Sequence, residues 1–184
     1  MFLLRHGQSY FNLHFTQTRQ DPGIEDPTLT PLGVQQAEIA AERLAGVKLT
    51  RVIISPYTRA LQTAAPILAG RGLRAEIMHE VRERTAFVCD VGSHPDELAR
   101  RFPQHDFAHL PAKWWRDGVE TAEETIARAN AFRAVMANRR DAATTLLVSH
   151  WAFILALTGI SVTNGEMIIY DPRDVAPERI VWRP

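Results

Sequence analysis

The sequence predicts an α/β fold: a three-layer sandwich with a mostly parallel central sheet and helices on both faces. Two observations carry this. Apolar runs too short for helices recur at residues 1–4, 51–54, 75–78, 144–148, 167–170 and 179–182, and read as strands. The segments between several of them have helical spacing and recognisable starts, and strand–helix alternation buries both element types only if a parallel sheet is covered on each side by helices. Right-handed crossovers follow.

Taken in order, the first strand opens the chain and runs directly into Arg5-His6-Gly7. Thr30-Pro31 supplies a cap and a first-turn proline ahead of a helix over residues 32–44. Strand 51–54 is followed by Ser55-Pro56, which repeats that device for the next helix. Gly70-Arg71-Gly72 leaves that helix and enters strand 75–78, so it reads as a turn and not as a dinucleotide fingerprint, which needs the reverse context. Thr121 and Glu124 form a capping-box pattern, with Ile126, Ala129, Phe132 and Met136 on one face of the helix that follows. Strand 144–148 then leads into Ser149-His150. Residues 79–118 interrupt the alternation; they are rich in His, Pro, Arg and aromatic residues, and only 95–102 reads as helix. The expected organisation is a single domain over residues 1–184, with 79–118 as an excursion covering the active site.

Composition excludes several function classes. Lys plus Arg and Asp plus Glu number 21 each, so no global field favours nucleic acid or an anionic membrane, and any anion must be held by a local cluster. With 46% hydrophobic and 23% charged residues the chain is ordinary for a folded protein. Cys89 is the only cysteine, which excludes an intramolecular disulfide and a C-x-x-C zinc pattern and fits a reducing compartment. The first strand leaves no room for a signal peptide, and no apolar stretch approaches the ~18 residues of a membrane span. A cytoplasmic location is expected.

Ligands of open α/β sheets bind beyond the carboxyl ends of the strands. Arg5-His6-Gly7, Ser55-Pro56-Tyr57-Thr58-Arg59 and Ser149-His150 each follow a predicted strand, so two arginines and two histidines converge on one rim. Guanidinium groups match phosphate oxygens bidentately, and imidazole serves as nucleophile or donor. The set suits a phosphoryl group.

The same residues resemble the histidine phosphatase superfamily, whose branches include the cofactor-dependent phosphoglycerate mutases. Leu4-Arg5-His6-Gly7-Gln8-Ser9 with Asn12, Leu29-Thr30-Pro31-Leu32-Gly33 with Gln36-Ala37, Ser55-Pro56-Tyr57-Thr58-Arg59-Ala60-Leu61-Gln62-Thr63-Ala64, and Val148-Ser149-His150 are similar to the family's blocks, in order, over residues 1–158. The resemblance implies a phosphoglycerate mutase-like fold and places His6 as the nucleophile that becomes phosphorylated. Arg5, Arg59 and His150 would hold the phosphoryl oxygens, Asn12 adds a contact, and the Gly7 carbonyl fixes the His6 tautomer. Val81-Arg82-Glu83-Arg84 is similar to the family's L-x-E-R segment, which makes Glu83 the proton donor to the leaving group; Glu80 is the rival, because Met78-His79-Glu80 presents the same pattern.

Cys89-Asp90-Val91-Gly92-Ser93, Glu97-Leu98, Phe102-Pro103, Trp114-Trp115 and Glu120 resemble a branch of small members that are mainly phosphatases. Trp114 and Trp115 serve there either as packing anchors or as substrate contacts. The family commonly has Gly after its final His, whereas here Trp151 follows His150, either turned into the core or narrowing the pocket as a substrate contact.

Other chemistries fit less well. A cysteine phosphatase needs Arg six residues after its Cys, but Pro95 stands there. No Walker A loop, H-E-x-x-H helix or G-x-S-x-G elbow occurs in the sequence. His79, His94, His105 and His109 include only one i, i+4 pair, His105 and His109, in a proline-flanked segment, so neither a metal nor another cofactor is expected. The expectation is a metal-independent phosphatase acting on a small phosphorylated metabolite. A phosphoglycerate-type mutase, a protein-phosphohistidine phosphatase and a catalytically silent phosphate-binding module are the alternatives.

Overall fold

In the computed structural model, which describes residues 1–182, five strands form one sheet of order β3-β2-β4-β1-β5. The strands are β1 (Phe2–Arg5), β2 (Arg51–Ile54), β3 (Ala75–Ile77), β4 (Thr145–Ser149) and β5 (Met167–Ile169). The first four are mutually parallel, and β5 closes one edge antiparallel to β1. The register places Arg5 opposite Ser149 and Ile54 opposite Val148, so the three segments rich in Arg and His leave the sheet at one end.

Helices cover both faces, as strand alternation demands. Leu4, Val52, Ile54, Leu146 and Val148 share one core with α2 (Pro31–Arg43) and α3 (Thr58–Leu68). Leu3, Ile53 and Leu147, one position out of step, share the other with α5 (Ala122–Ala137) and α6 (Trp151–Thr158). Fully burying each such side chain contributes about 1.5–3 kcal/mol. Two further α-helices are α1 (Tyr10–Thr18) and α4 (Pro95–Arg101). The caps behave as the sequence indicates at Thr30, whose hydroxyl accepts from the Gly33 N–H, and at Thr121, which forms a full capping box with Glu124.

Two expectations are corrected. Ser55-Pro56 does not start a helix: α3 begins at Thr58 with Tyr57 at its N-cap and no side-chain cap, because the Ser55 hydroxyl lies 2.7 Å from His150 Nε2 instead. Residues 179–182 form no strand; Ile180 and Trp182 pack against the second core without entering a ladder. Their apolar pattern reports partial packing by Ile180 and Trp182 and not pairing, with Val181 left exposed.

The motif glycines have a steric cause. A Cβ on Gly7 would stand 2.4 Å from the Gly33 carbonyl oxygen, and one on Gly33 would stand 2.1 Å from the Gln8 carbonyl oxygen. Only glycine lets the start of α2 lie directly against the turn that follows β1. Thr63 of α3 ties the same turn from the other side, accepting from the Gly7 N–H at 3.0 Å while donating to the Arg59 carbonyl at 2.7 Å.

Candidate active site

A cavity of about 560 Å³ opens over the carboxyl ends of β1 and β4. Arg5, His6, Asn12, Arg59, Glu83 and Trp151 all line it. His150 is fully buried beside it, its ring centroid 5.0 Å from that of His6. Glu80 lies outside, with its side chain 55% exposed and His79 3.6 Å away. Trp114 and Trp115 also lie outside: Trp114 is buried in the first core with its indole N–H on the Ser93 carbonyl at 2.9 Å, and Trp115 packs against that core.

His6 is held in one tautomer. Its Nδ1 is 2.7 Å from the Gly7 carbonyl, which only accepts, so Nδ1 carries the proton and Nε2 is left with its lone pair. Burial, with the Arg59 and Arg5 charges, pushes the imidazole well below its ordinary pKa, so the ring is neutral at physiological pH.

The guanidinium groups are anchored from behind. Arg5 donates to the Val162 carbonyl at 2.8 Å, and its Nε has no partner among the described residues. Burial lowers its pKa to about 10, still well above neutrality. Arg59 stacks over the Tyr57 ring at 4.2 Å, donates to the Cys89 carbonyl at 2.9 Å and pairs with Asp90 at 3.2 Å, both ion-pair partners being buried. Asp90 is in turn held by the Ala86 and Phe87 N–H groups at 3.0 and 3.1 Å. His150 Nδ1 is likewise buried without a partner. An unpaired buried polar atom costs about 1–3 kcal/mol, so Arg5 Nε and His150 Nδ1 carry hydrogen-bonding capacity that the described residues leave unmet.

Glu83 is oriented by two backbone donors on one oxygen: Oε1 accepts from the Arg84 N–H at 2.9 Å and from the Ala152 N–H at 3.0 Å, in the first turn of α6. Among the described residues Oε2 has no hydrogen-bond partner, so it is the oxygen able to carry the proton. Burial raises this carboxyl to about 7, with the nearby Asp90 charge adding to the effect.

Beneath Glu83 lies a network the sequence reading did not anticipate. Arg128 of α5 donates to the carbonyls of Glu80 and Arg82 at 2.6 and 2.9 Å and to the Glu120 carboxylate at 3.0 and 2.7 Å, while Arg82 adds a contact to Glu120 at 3.5 Å. Glu120 had been noted only for its resemblance to one branch. The roles of Ser55, Asp90 and Arg128 are not readable locally, because the His150, Arg59 and Glu80 groups they engage lie 95, 31 and 48 residues away. Asn12 closes the capping box of α1 with Ser9, and its Oδ1 also accepts from Asn164 at 3.1 Å. Its amide oxygen is thereby occupied, leaving Nδ2 as the group available to a ligand.

Fold and motif order together define the class: the chain belongs to the histidine phosphatase superfamily (branch 1), whose family profile matches residues 1–167. Among curated relatives, a Yersinia enterocolitica protein named as a probable phosphoglycerate mutase, GpmB, is 35% identical over 50% of this chain and 40% of its own length. The Xenopus laevis fructose-2,6-bisphosphatase TIGAR is 30% identical over 71% of this chain and 46% of its own. The chain thus spans less than half the length of either. A mycobacterial glucosyl-3-phosphoglycerate phosphatase solved with VO3 shares the fold, with a TM-score of 0.61 at 22% identity over 91% of this chain and 88% of that one. No helix among the described residues is long and apolar enough to cross a membrane.

Proposed function

We propose that this protein is a metal-independent phosphatase that hydrolyses the phosphate monoester of a small metabolite through a phosphohistidine at His6. The observation that carries the reading is the convergence on one cavity of a neutral, tautomer-fixed histidine, two anchored arginines and a carboxyl poised near neutrality.

The chemistry proceeds in two steps. His6 Nε2 attacks phosphorus, the bond to the ester oxygen breaks, and the leaving alkoxide takes the proton from Glu83 Oε2. Arg5, Arg59 and His150 hold the equatorial oxygens, where charge concentrates in the transition state. For His150 to donate through Nδ1, its Nε2 must accept, and the Ser55 hydroxyl at 2.7 Å is placed to supply that proton. Asn12 Nδ2 adds a contact, and Trp151 forms part of the substrate wall. In the second step Glu83, now a carboxylate, removes a proton from water, the oxygen attacks phosphorus, and the P–N bond returns its electron pair to His6. Inorganic phosphate leaves. The single, buried cysteine suits a cytoplasmic setting.

The test is release of phosphate from a panel of phosphorylated metabolites in the presence of EDTA. Release that is chelator-resistant in wild type and lost in His6→Ala is expected; equal release by the variant would remove His6 from the mechanism. A mutase is the second reading, favoured by the match to a relative named for that activity. Interconversion of 3- and 2-phosphoglycerate without net phosphate release would establish it.

A further inference from the structure

We propose that the alcohol released by this enzyme is aromatic: the cavity is built to seat a monoester carrying a planar apolar group, and not a sugar phosphate or a phosphoglycerate. The proposal rests on the phosphatase reading and deepens it.

Above the floor formed by Arg5, His6, Arg59 and Glu83, the cavity is walled by the rings of Phe11, Phe15, Phe87, Trp151 and Trp182. Phe11, Phe15 and Phe87 make one cluster, with centroids 4.9 to 5.2 Å apart, yet Phe87 stays 39% exposed. Trp151 and Trp182 make a second, at 6.3 Å and 75°, with the Trp151 indole N–H spent on the Ser161 hydroxyl at 2.9 Å. Aromatic groups prefer offset or edge contacts at about 4.5–7 Å, and an exposed ring face offers that contact to a ligand ring.

Several polar groups in the same wall are already engaged. Ser9 and Asn12 bond each other in the cap of α1 at 2.9 Å, Ser161 accepts from Trp151, and Thr163 bonds Glu166 at 2.9 Å. Asn164 donates to the His6 carbonyl at 3.2 Å. Asn12 Nδ2, Thr16 and the guanidinium N–H groups of Arg19 and Arg84 remain for a polar group, while a ligand hydroxyl set against the five rings goes unpaired and costs affinity. The two further arginines of the wall lie over rings themselves: Arg19 is 5.8 Å above Phe15, and Arg84 is 5.1 Å above Trp182 with its Nε bonded to the Glu120 carbonyl. At about 560 Å³ the cavity lies in the range of pockets for drug-sized ligands, more than a glycerol-sized group fills.

The experiment compares kcat/KM of wild type for 2-phenylethyl phosphate, ethyl phosphate and glycerol 3-phosphate, which all release a primary alcohol, so that leaving-group chemistry is matched. A preference for 2-phenylethyl phosphate of at least about tenfold over both is expected, given what apolar burial contributes to discrimination. Phe87→Ala, at a position 39% exposed, and Trp151→Ala, each checked for an unchanged fold by circular dichroism, should each shrink that preference at least about threefold. His6-dependent turnover without preference, or with glycerol 3-phosphate favoured, overturns this proposal alone. Absence of His6-dependent turnover of all three overturns it together with the phosphatase reading.

Discussion

Replacing Glu83 by Gln isolates the proton delivered to the leaving group. A carboxyl at the ordinary 4.5 would be protonated roughly one time in 300 at pH 7, whereas at about 7 it is protonated half of the time, so burial raises the population of the acid about 150-fold. General acids typically supply about 10²–10⁴-fold. For ethyl phosphate, whose alkoxide cannot depart unaided, kcat/KM should fall about 10³-fold in Glu83→Gln. For p-nitrophenyl phosphate, whose leaving group needs no proton, the fall should be less than about tenfold. The comparison must use kcat/KM, because kcat also contains the hydrolysis step in which Glu83 is the base. The pH profile carries a second signature. Wild-type kcat/KM for ethyl phosphate should decline as pH rises through about 7, where Glu83 loses its proton. His6 gains its own proton only well below 6.5, so the lower limb is set far down. The upper limb should vanish in Glu83→Gln. Equal losses on both substrates, or an upper limb that survives the substitution, would refute the assignment of Glu83 as the acid.

Further consequences follow from the same contacts. A carboxyl raised in the folded state favours its neutral form there, so it costs stability as pH rises from 4.5 through about 7. Glu83→Gln should therefore melt higher than wild type at pH 8, by up to about 3 kcal/mol, and no higher at pH 4, as calorimetry would report. Arg128→Ala removes the donors that hold the 80–83 backbone. It should lower kcat/KM for ethyl phosphate more than for p-nitrophenyl phosphate, with Arg128→Lys intermediate; an equal loss on both would mean the network only supports the fold. Ser55→Ala leaves the buried His150 Nε2 unpaired and should cost about tenfold in kcat/KM together with about 1–3 kcal/mol of stability by calorimetry. Gly33→Ala forces a Cβ to 2.1 Å from the Gln8 carbonyl oxygen. Overpacking of this kind costs about 3 kcal/mol, a fall in Tm of about 6–12 °C in a chain of this size.

The strands and the main helices were legible because local devices encode them: short apolar runs, the Thr30-Pro31 start and the Thr121–Glu124 box. The same reading failed where a local signal had a distant owner. Ser55 reads as a cap in sequence, but its hydroxyl belongs to His150, 95 residues away. Residues 179–182 carry strand-like apolarity that goes into partial packing and not pairing. At the site, His6, Arg5 and Arg59 follow strand ends, which topology makes conspicuous. Asp90 and Arg128 do not, and a helix arginine reads as solvated until the fold brings the Glu83 loop over it. The aromatic wall drew on α1, residue 87 and residue 182, three segments that only the assembled fold brings together.

The central claim is a covalent phosphoryl group on His6. Wild-type protein mixed with an excess of 32P-labelled monoester and quenched in alkali within milliseconds should carry label that survives base, is lost in acid and maps to the peptide containing His6, while His6→Ala carries none. Rapid phosphate release with no labelled protein at any quench time, or label on another residue, would contradict the account.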